Sequence, residues 1–431
     1  MPLVLVLADD FSGAAEVGQQ FAAHGLAAQI TLTTAHAHHG GSPTPGAEVA
    51  VVDTHSRGLA APAAAEAVQT ALEETDTARE ALVFKKTDSL WRGNIGAEIA
   101  ALTGLGYHVV LAGALPALER TVVGARPLAG DRPLRASGLW AAESILPPED
   151  LHELFAADTE LRFVGLDDVR SADLAGRLAR SLSGSTPAVV VVDGETDADV
   201  AAVVEALAPL GFLVGGHPVA LAGTGQLGGH LARHLAHGSA PTTHSPADPA
   251  LPAGPSFPPG SAPHHRPVLA VVGSASPTAR RQLDHLAAEG FHVVAIGPAP
   301  EDQSLAASRI RTALDRGHPV AVTVADGAVD PAISAVLVTH LAGIASESLQ
   351  GLQADLILTG GETAREVLDA LGITSLVPRE AVQHGAVVST ADDGRLVATK
   401  PGSFGDPLVL VQLYRSIQAF YSIPRASTPA H

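Results

Sequence analysis

The chain has 431 residues, enough for two domains of ordinary size, and its formal net charge of −19 argues against a nucleic-acid partner, which asks for a basic face. It contains no cysteine, which excludes disulfides, zinc–thiolate sites and cysteine nucleophiles together. No run of about 18 apolar residues is present and acid follows the first apolar run directly, so neither a membrane helix nor an export signal is expected, and the location expected is cytoplasmic.

The first element is an apolar strand, Leu3 to Ala8, that runs straight into Asp9-Asp10-Phe11-Ser12-Gly13-Ala14. Two carboxylates at the carboxyl end of a buried parallel strand stand where open α/β sheets place their ligands. Further strand-like runs follow at Glu48 to Asp53, Ala81 to Lys85, Tyr107 to Leu111, Ala188 to Asp193 and His217 to Ala222, separated by helical stretches. From His237 to Pro267 the chain is rich in Pro, Ser, Gly and Ala and has no apolar period, so it reads as a linker. The alternation returns in Val268 to Gly273, Phe291 to Ile296, Pro319 to Ala325 and Ala354 to Leu358. This pattern predicts an α/β protein of two domains, 1–236 and 267–431, joined by 237–266, each with a mostly parallel sheet flanked by helices. One antiparallel hairpin is expected over Ala386 to Lys400, turning at Asp393-Gly394, and the tail from Pro424 is expected to lack order.

Three glycine loops fall in the second half. Asp355 to Thr359 leads through Gly360-Gly361-Glu362-Thr363 into a helix whose apolar stripe would be Ala364, Val367, Leu368 and Leu371. A strand, paired glycines and a helix N-terminus can hold an anion, because the backbone comes close and unpaired N–H groups point outward. Gly273-Ser274-Ala275-Ser276-Pro277 repeats the arrangement, with Ser276 as the helix cap and Pro277 as the first helical residue. Lys400-Pro401-Gly402-Ser403-Phe404-Gly405 adds a lysine. Together they point to a polyphosphate site, although the chain has no Walker-type loop. A G-x-G-x-x-G at Gly223 to Gly228 lacks an acid at a following strand end, so it reads as a strand-to-helix turn rather than a dinucleotide site.

The first half gathers polar groups at two strand exits. Lys86, Asp88, Ser89, Arg92 and Asn94 follow one strand, and Arg57 follows Asp53 after another. A sugar acid would use cations for its carboxylate and Asp or Asn for its hydroxyls, whereas the bland alternative is an internal salt-bridge network. His36, His38 and His39 read as a solvated loop rather than a metal site, as do His264 and His265. Arg120-Thr121 and Gly130 to Pro133 read as a loop with phosphate or substrate contacts, or as a structural turn.

Taken together, Ala8 to Ala14, Ser56-Arg57, Lys86 to Ser89 with Arg92-Gly93-Asn94, Gly273 to Ser276, Gly360 to Ala364 and Lys400 to Gly405 resemble the four-carbon acid sugar kinase family. The resemblance covers nearly the whole chain in the family's order. It implies ATP-dependent phosphorylation of the terminal hydroxyl of threonate, erythronate or a 3-oxo-tetronate, with the acid on the N-terminal domain, ATP on the C-terminal domain and the reaction in the cleft between them. It places Asp9, Arg57, Lys86, Thr87, Asp88 and Ser89 on the substrate, and Ser274, Gly360, Gly361, Glu362, Thr363 and Gly405 on the nucleotide. Asp10, Arg92 and Asn94 join the substrate set and Lys400 and Gly402 the nucleotide set. Mg2+ is the expected neutralising ion, and Asp9, Asp10 and Asp88 are the candidate bases. Leu90, Trp91 and Glu119 depart from the family pattern and bear on substrate choice. An NAD(P)-dependent oxidoreductase resting on Gly223 to Gly228 and a non-catalytic ligand sensor are the competing classes, and the oligomeric state, a homo-oligomer included, stays open.

Overall fold

The computed structural model describes residues 3–33, 46–75, 81–140, 145–238, 266–274, 276–297, 303–325, 331–402 and 405–422. The histidine loop, most of the linker, the tail and residues Ala275, Ser403 and Phe404 lie outside the described residues. The chain divides into two units, Met1–Ala247 and Asp248–His431. Among the described residues no helix is long and apolar enough to cross a membrane.

In the first unit eight strands pair side by side, all parallel, in the spatial order Ala28–Leu32, Val49–Asp53, Val4–Ala8, Leu82–Lys86, His217–Gly223, His108–Ala112, Val189–Val192 and Leu161–Val164. The sheet is buried on both faces, which is why Val4–Ala8, His108–Ala112 and Val189–Val192 are buried at every position and read as continuous apolar runs. Val4–Ala8 lies between Val49–Asp53 and Leu82–Lys86, the point at which the chain changes its direction of travel across the sheet. Ligands of open parallel sheets bind outside the carboxyl ends of the strands at such a switch.

The expected strands of this unit all form, with ends shifted by a residue or so. Ala28–Leu32 and Leu161–Val164 were not expected: the first is a short half-buried alternation, and the second has Arg162 in its middle. Arg120–Val123, Arg126–Ala129 and Arg132–Pro133 form a small antiparallel sheet where the sequence offered a loop or turn.

The G-x-G-x-x-G segment ends the strand His217–Gly223 and opens the helix Gly225–Gly238, and its glycines face protein. A Cβ on Gly225 would lie 2.1 Å from Glu16 Oε1, and one on Gly228 would lie 2.9 Å from Val17 Cγ2. Both contacts are to the helix Phe11–Ala23, so these glycines set the close approach of two helices. The expected turn is what forms.

The second unit pairs His292–Ile296, Val320–Val324, Val268–Val272, Asp355–Thr359 and Leu396–Lys400 in parallel, then adds Ala386–Ala391 and Ser375–Gln383 antiparallel at one side. The hairpin expected over Ala386 to Lys400 is present. Its outer partner Ser375–Gln383 was missed because Pro378 sits inside it, a residue tolerated only at edges and bulges, and the pairing does shift register between Pro378 and Glu380. The helix Gly361–Ala370 buries Ala364, Val367 and Leu368 as the apolar spacing requires, and Ser276 caps Pro277–Ala288 by accepting the Ala279 N–H at 3.1 Å.

Candidate active site

Three adjacent parallel strands deliver the polar cluster of the first unit. In register, Ala8 stands beside Asp53 and beside Lys86, so Asp9 and Asp10, the Thr54 to Arg57 turn and the Thr87 to Asn94 turn leave the sheet together. Asp10 also caps the helix Phe11–Ala23, its Oδ1 accepting the Gly13 N–H at 2.8 Å.

Arg57 is the hub. Its Nε and Nη2 donate to Asp9 at 2.7 and 3.0 Å, and its Nη1 donates to Asp10 at 2.6 Å. Asp88 stands 4.0 Å from Arg57 and is gripped by Arg92 through Nε at 2.8 Å and Nη2 at 2.9 Å. Lys86 lies 3.4 Å from Glu16 and donates to the Thr87 carbonyl at 2.9 Å. Thr87 Oγ1 is buried and has no hydrogen-bond partner among the described residues.

These contacts set the charges. Burial would raise the pKa of Asp9, but Arg57 and Lys85 reverse that and leave it below the ordinary value. Asp10 goes the other way, raised by burial and by the neighbouring Asp9 despite Arg57. Asp88 is held far below the usual carboxylate range, because hydrogen bonds from Arg92 with the charges of Arg57, Arg92 and Lys86 outweigh its burial. Lys86 is raised, since Glu16, Asp10, Asp9 and Asp88 together outweigh burial.

The structure brings Asp9, Asp10, Arg57, Lys86, Thr87, Asp88 and Arg92 together and gives two expected members local duties. The Asn94 amide donates to the carbonyls of Ser56 and Leu59 at 3.1 and 2.9 Å, bracing the loop that carries Arg57. Ser89 Oγ takes a hydrogen bond from Arg120 Nη1. Arg120 is the residue sequence reasoning undervalued. Its guanidinium has a lowered pKa, from burial and from Arg92, against the pull of Asp88 and Glu16. Leu90 and Trp91 turn into the core, Trp91 in the left-handed region at φ 64. Glu119 is exposed.

In the second unit the loops after Val268–Val272, Asp355–Thr359 and Leu396–Lys400 leave neighbouring strands. They converge: a Cβ on Gly402 would lie 3.4 Å from Ser274 Cβ and 3.7 Å from Gly360 Cα. Gly360 has φ 91, a backbone that favours glycine, and offers the helix Gly361–Ala370 no side-chain cap. Thr363 is buried and faces Gly273, while Glu362 is exposed in the first turn. Lys400 Nζ donates to the carbonyls of Pro401 and Gly402 at 2.8 and 3.0 Å. Burial lowers its pKa to about 8. Gly405 serves its own turn: at φ 88, a Cβ there would meet Val409 at 2.7 Å.

The fold is that of a two-domain α/β protein, with a strand-exit cluster of acids and cations in one unit and a glycine-lined turn with a buried lysine in the other. Residues 4–224 match the family model of a sugar-binding N-terminal domain and residues 269–410 that of a nucleotide-binding C-terminal domain. A D-threonate kinase of Cupriavidus necator is 33% identical over 96% of this chain and 97% of its own length. A D-threonate kinase of Bordetella bronchiseptica is 30% identical over 97% of this chain and 98% of its own. A 3-oxo-tetronate kinase of Cupriavidus necator is 25% identical over 94% and 95%. Among solved structures, a Salmonella typhimurium LT2 protein superposes with TM-score 0.76 at 20% identity, covering 96% of this chain and 99% of its own, a likeness of fold alone. The chain belongs to the four-carbon acid sugar kinase family, and it is a kinase.

Proposed function

We propose that the protein is an ATP-dependent kinase that phosphorylates the terminal hydroxyl of a four-carbon sugar acid, with D-threonate as the first substrate to test and erythronate and 3-oxo-tetronate as the others of the class. The observation that carries this is the convergence of Asp9, Asp10, Arg57, Lys86 and Asp88 at the exits of three adjacent strands, beside a buried Thr87 hydroxyl that has no partner among the described residues. The names of the relatives supply the substrate class.

A substrate carboxylate is met in this assignment by Arg120, which also donates to Ser89 and whose charge burial and Arg92 disfavour until an anion arrives. Thr87 and Lys86 then face the hydroxyls. The acceptor oxygen attacks the γ-phosphorus, its bond to the β–γ bridging oxygen breaks, and ADP leaves with that electron pair. The proton of the acceptor hydroxyl goes to Asp10. Among the three candidate bases it is the one with a raised pKa, and its side chain, at 20% exposure, is more open than Asp9 at 1% or Asp88 at 10%.

The residues of the second unit fit a nucleotide. The space between Ser274, Gly360 and Gly402 is one that a larger side chain at Gly402 would fill, the N–H groups of the Gly361–Ala370 helix open toward its start, and Lys400 is a buried cation whose hydrogen bonds go to two carbonyls. Mg2+, if it arrives with the nucleotide, would neutralise phosphate charge there. Ser274, Gly360, Gly361, Thr363, Gly402 and Lys400 hold the phosphates in this assignment.

A phosphorylation screen of the D- and L-threonates, the erythronates, 3-oxo-tetronate and the uncharged polyol erythritol, with and without ATP, tests it. Turnover is expected for a tetronate with ATP and very little for erythritol. Comparable turnover of erythritol, or none of any tetronate, would overturn the proposal.

A further inference from the structure

Below the polar cluster lies a second layer in which every charge is out of water. Lys85 Nζ is 3.1 Å from Glu98 Oε2, and neither side chain has any exposure. Glu98 Oε1 stands 2.5 Å from Ser56 Oγ, Ser56 Oγ stands 2.8 Å from Thr54 Oγ1, and Thr54 Oγ1 donates to the Ala8 carbonyl at 2.8 Å. Lys85 Nζ also donates to the Lys86 carbonyl at 3.0 Å.

The order of these contacts is informative. Ala8 precedes Asp9, Ser56 precedes Arg57 and Lys85 precedes Lys86, so the buried layer touches the residue before each of three site groups. Glu98 comes from a fourth element, the helix Ile95–Gly104 that follows Asn94. An ion pair this deep is a poor source of stability, because desolvation offsets its attraction and an apolar pair of similar volume generally does as well or better. Its presence is explained by what it holds.

We infer that the buried pair Lys85–Glu98, continued through Ser56 and Thr54, is a positioning element of the sugar-acid site: it ties together the three strand exits that carry Asp9, Arg57 and Lys86 and places a balanced charge beneath them. The inference rests on the assignment of those three groups to the substrate site. Asp9 is faced by Arg57, Lys85 and Asp88, with Asp10 on the same chain segment and Lys86 on the neighbouring strand, so Lys85 acts on it through space and Glu98 acts through the Lys85 it holds.

The test is the acidic limb of kcat/KM for D-threonate, which reports the Asp9–Asp10 pair as a unit. Lys85→Met removes a positive charge that faces Asp9 and is expected to move the limb up by about half a pH unit or more, whereas Glu98→Gln removes the opposing charge and is expected to move it down. The double variant is expected to return toward the wild-type profile. A purely structural pair would not produce shifts of opposite sign. Thermal unfolding of each variant identifies any that does not fold, and Ser56→Ala then decides: it keeps both charges and is expected to lower kcat about tenfold or more, with KM for ATP unchanged. Limbs that stay put, or move the same way, in folded variants overturn the inference, as does wild-type kcat in Ser56→Ala. If the wild-type enzyme turns over no tetronate, the assigned reaction fails by itself, and carboxyl NMR titration of Asp9 in the same variants still decides the inference by the same opposite shifts.

Discussion

Arg57 holds Asp9 through two nitrogens, at 2.7 and 3.0 Å, and Asp10 through the third, at 2.6 Å, so one guanidinium clamps two adjacent carboxylates whose proton affinities are driven in opposite directions. In the proposed mechanism that split separates roles: Asp9 stays ionised to orient the clamp, and Asp10 is the more basic acid that takes the proton.

Asp10→Asn is therefore expected to lower kcat by about 10²–10⁴-fold, with the KM values for both substrates little changed. Asparagine also caps helices, so the Phe11–Ala23 helix should survive. Steady-state kinetics with a melting curve check both halves. Unchanged kcat would move the base elsewhere.

Arg57→Met removes the shared cation from both acids at once. Breaking a buried pair leaves uncompensated charge, so kcat/KM for the acid is expected to fall by about 100-fold or more, through kcat as well as KM. A change confined to KM for the acid would instead make Arg57 a simple carboxylate anchor.

Lys400 predicts a trade between stability and binding. Its folded pKa, about 8, lies below the ordinary 10.5, so its charge destabilises the nucleotide-free protein fully below about pH 8, and the penalty fades as pH rises to 10.5. Lys400→Met should raise the melting temperature of the nucleotide-free protein at pH 7, by about 1–3 kcal/mol in stability, and raise KM for ATP about tenfold or more. Melting curves at pH 7 and pH 10.5, with and without ATP, show whether the gain disappears at high pH as expected.

Gly402→Val places branched carbons among Ser274, Gly360 and Gly402, and should raise KM for ATP far more than KM for the acid. Equal effects on both constants would deny the nucleotide this cradle.

His108 supplies an acid-stability signal away from both sites. It is buried, its Nδ1 accepts the Ala188 N–H at 2.9 Å, and burial with His217 and Arg162 lowers its pKa. The unfolded chain binds that proton more readily, so the contribution of His108 is present above about pH 6.5 and is lost as pH falls through and below that value. His108→Gln should flatten the decline in melting temperature between pH 7 and pH 5.

Much of this was legible in the sequence because parallel strands buried on both faces announce themselves as apolar runs. Asp9, Arg57 and Lys86 could be picked out because each directly follows such a run or the turn after it. Ser375–Gln383 was hidden by Pro378, and Leu161–Val164 by a charged centre. Glu98 was not legible as a neighbour of the cluster, and Arg120 was legible only as a loop residue with a contact or a turn to make. Glu98 lies on a helix whose period says only that it is buried, and Arg120 reaches the cluster from a small sheet that no local pattern foretells. A sequence also shows that Arg57 and Arg92 stand near acids without showing which acid each one holds.

Gly225 gives the G-x-G-x-x-G segment a meaning that a pattern search would miss. The carboxylate that its missing Cβ accommodates belongs to Glu16, and Glu16 is the acid beside Lys86. The glycine thus works as a spacer whose thickness is read at the far end of a side chain. Adding a single methyl group there would push the Glu16 carboxylate from its seat and change the charge that Lys86 faces, so a helix of purely structural appearance reaches the polar cluster through one missing carbon.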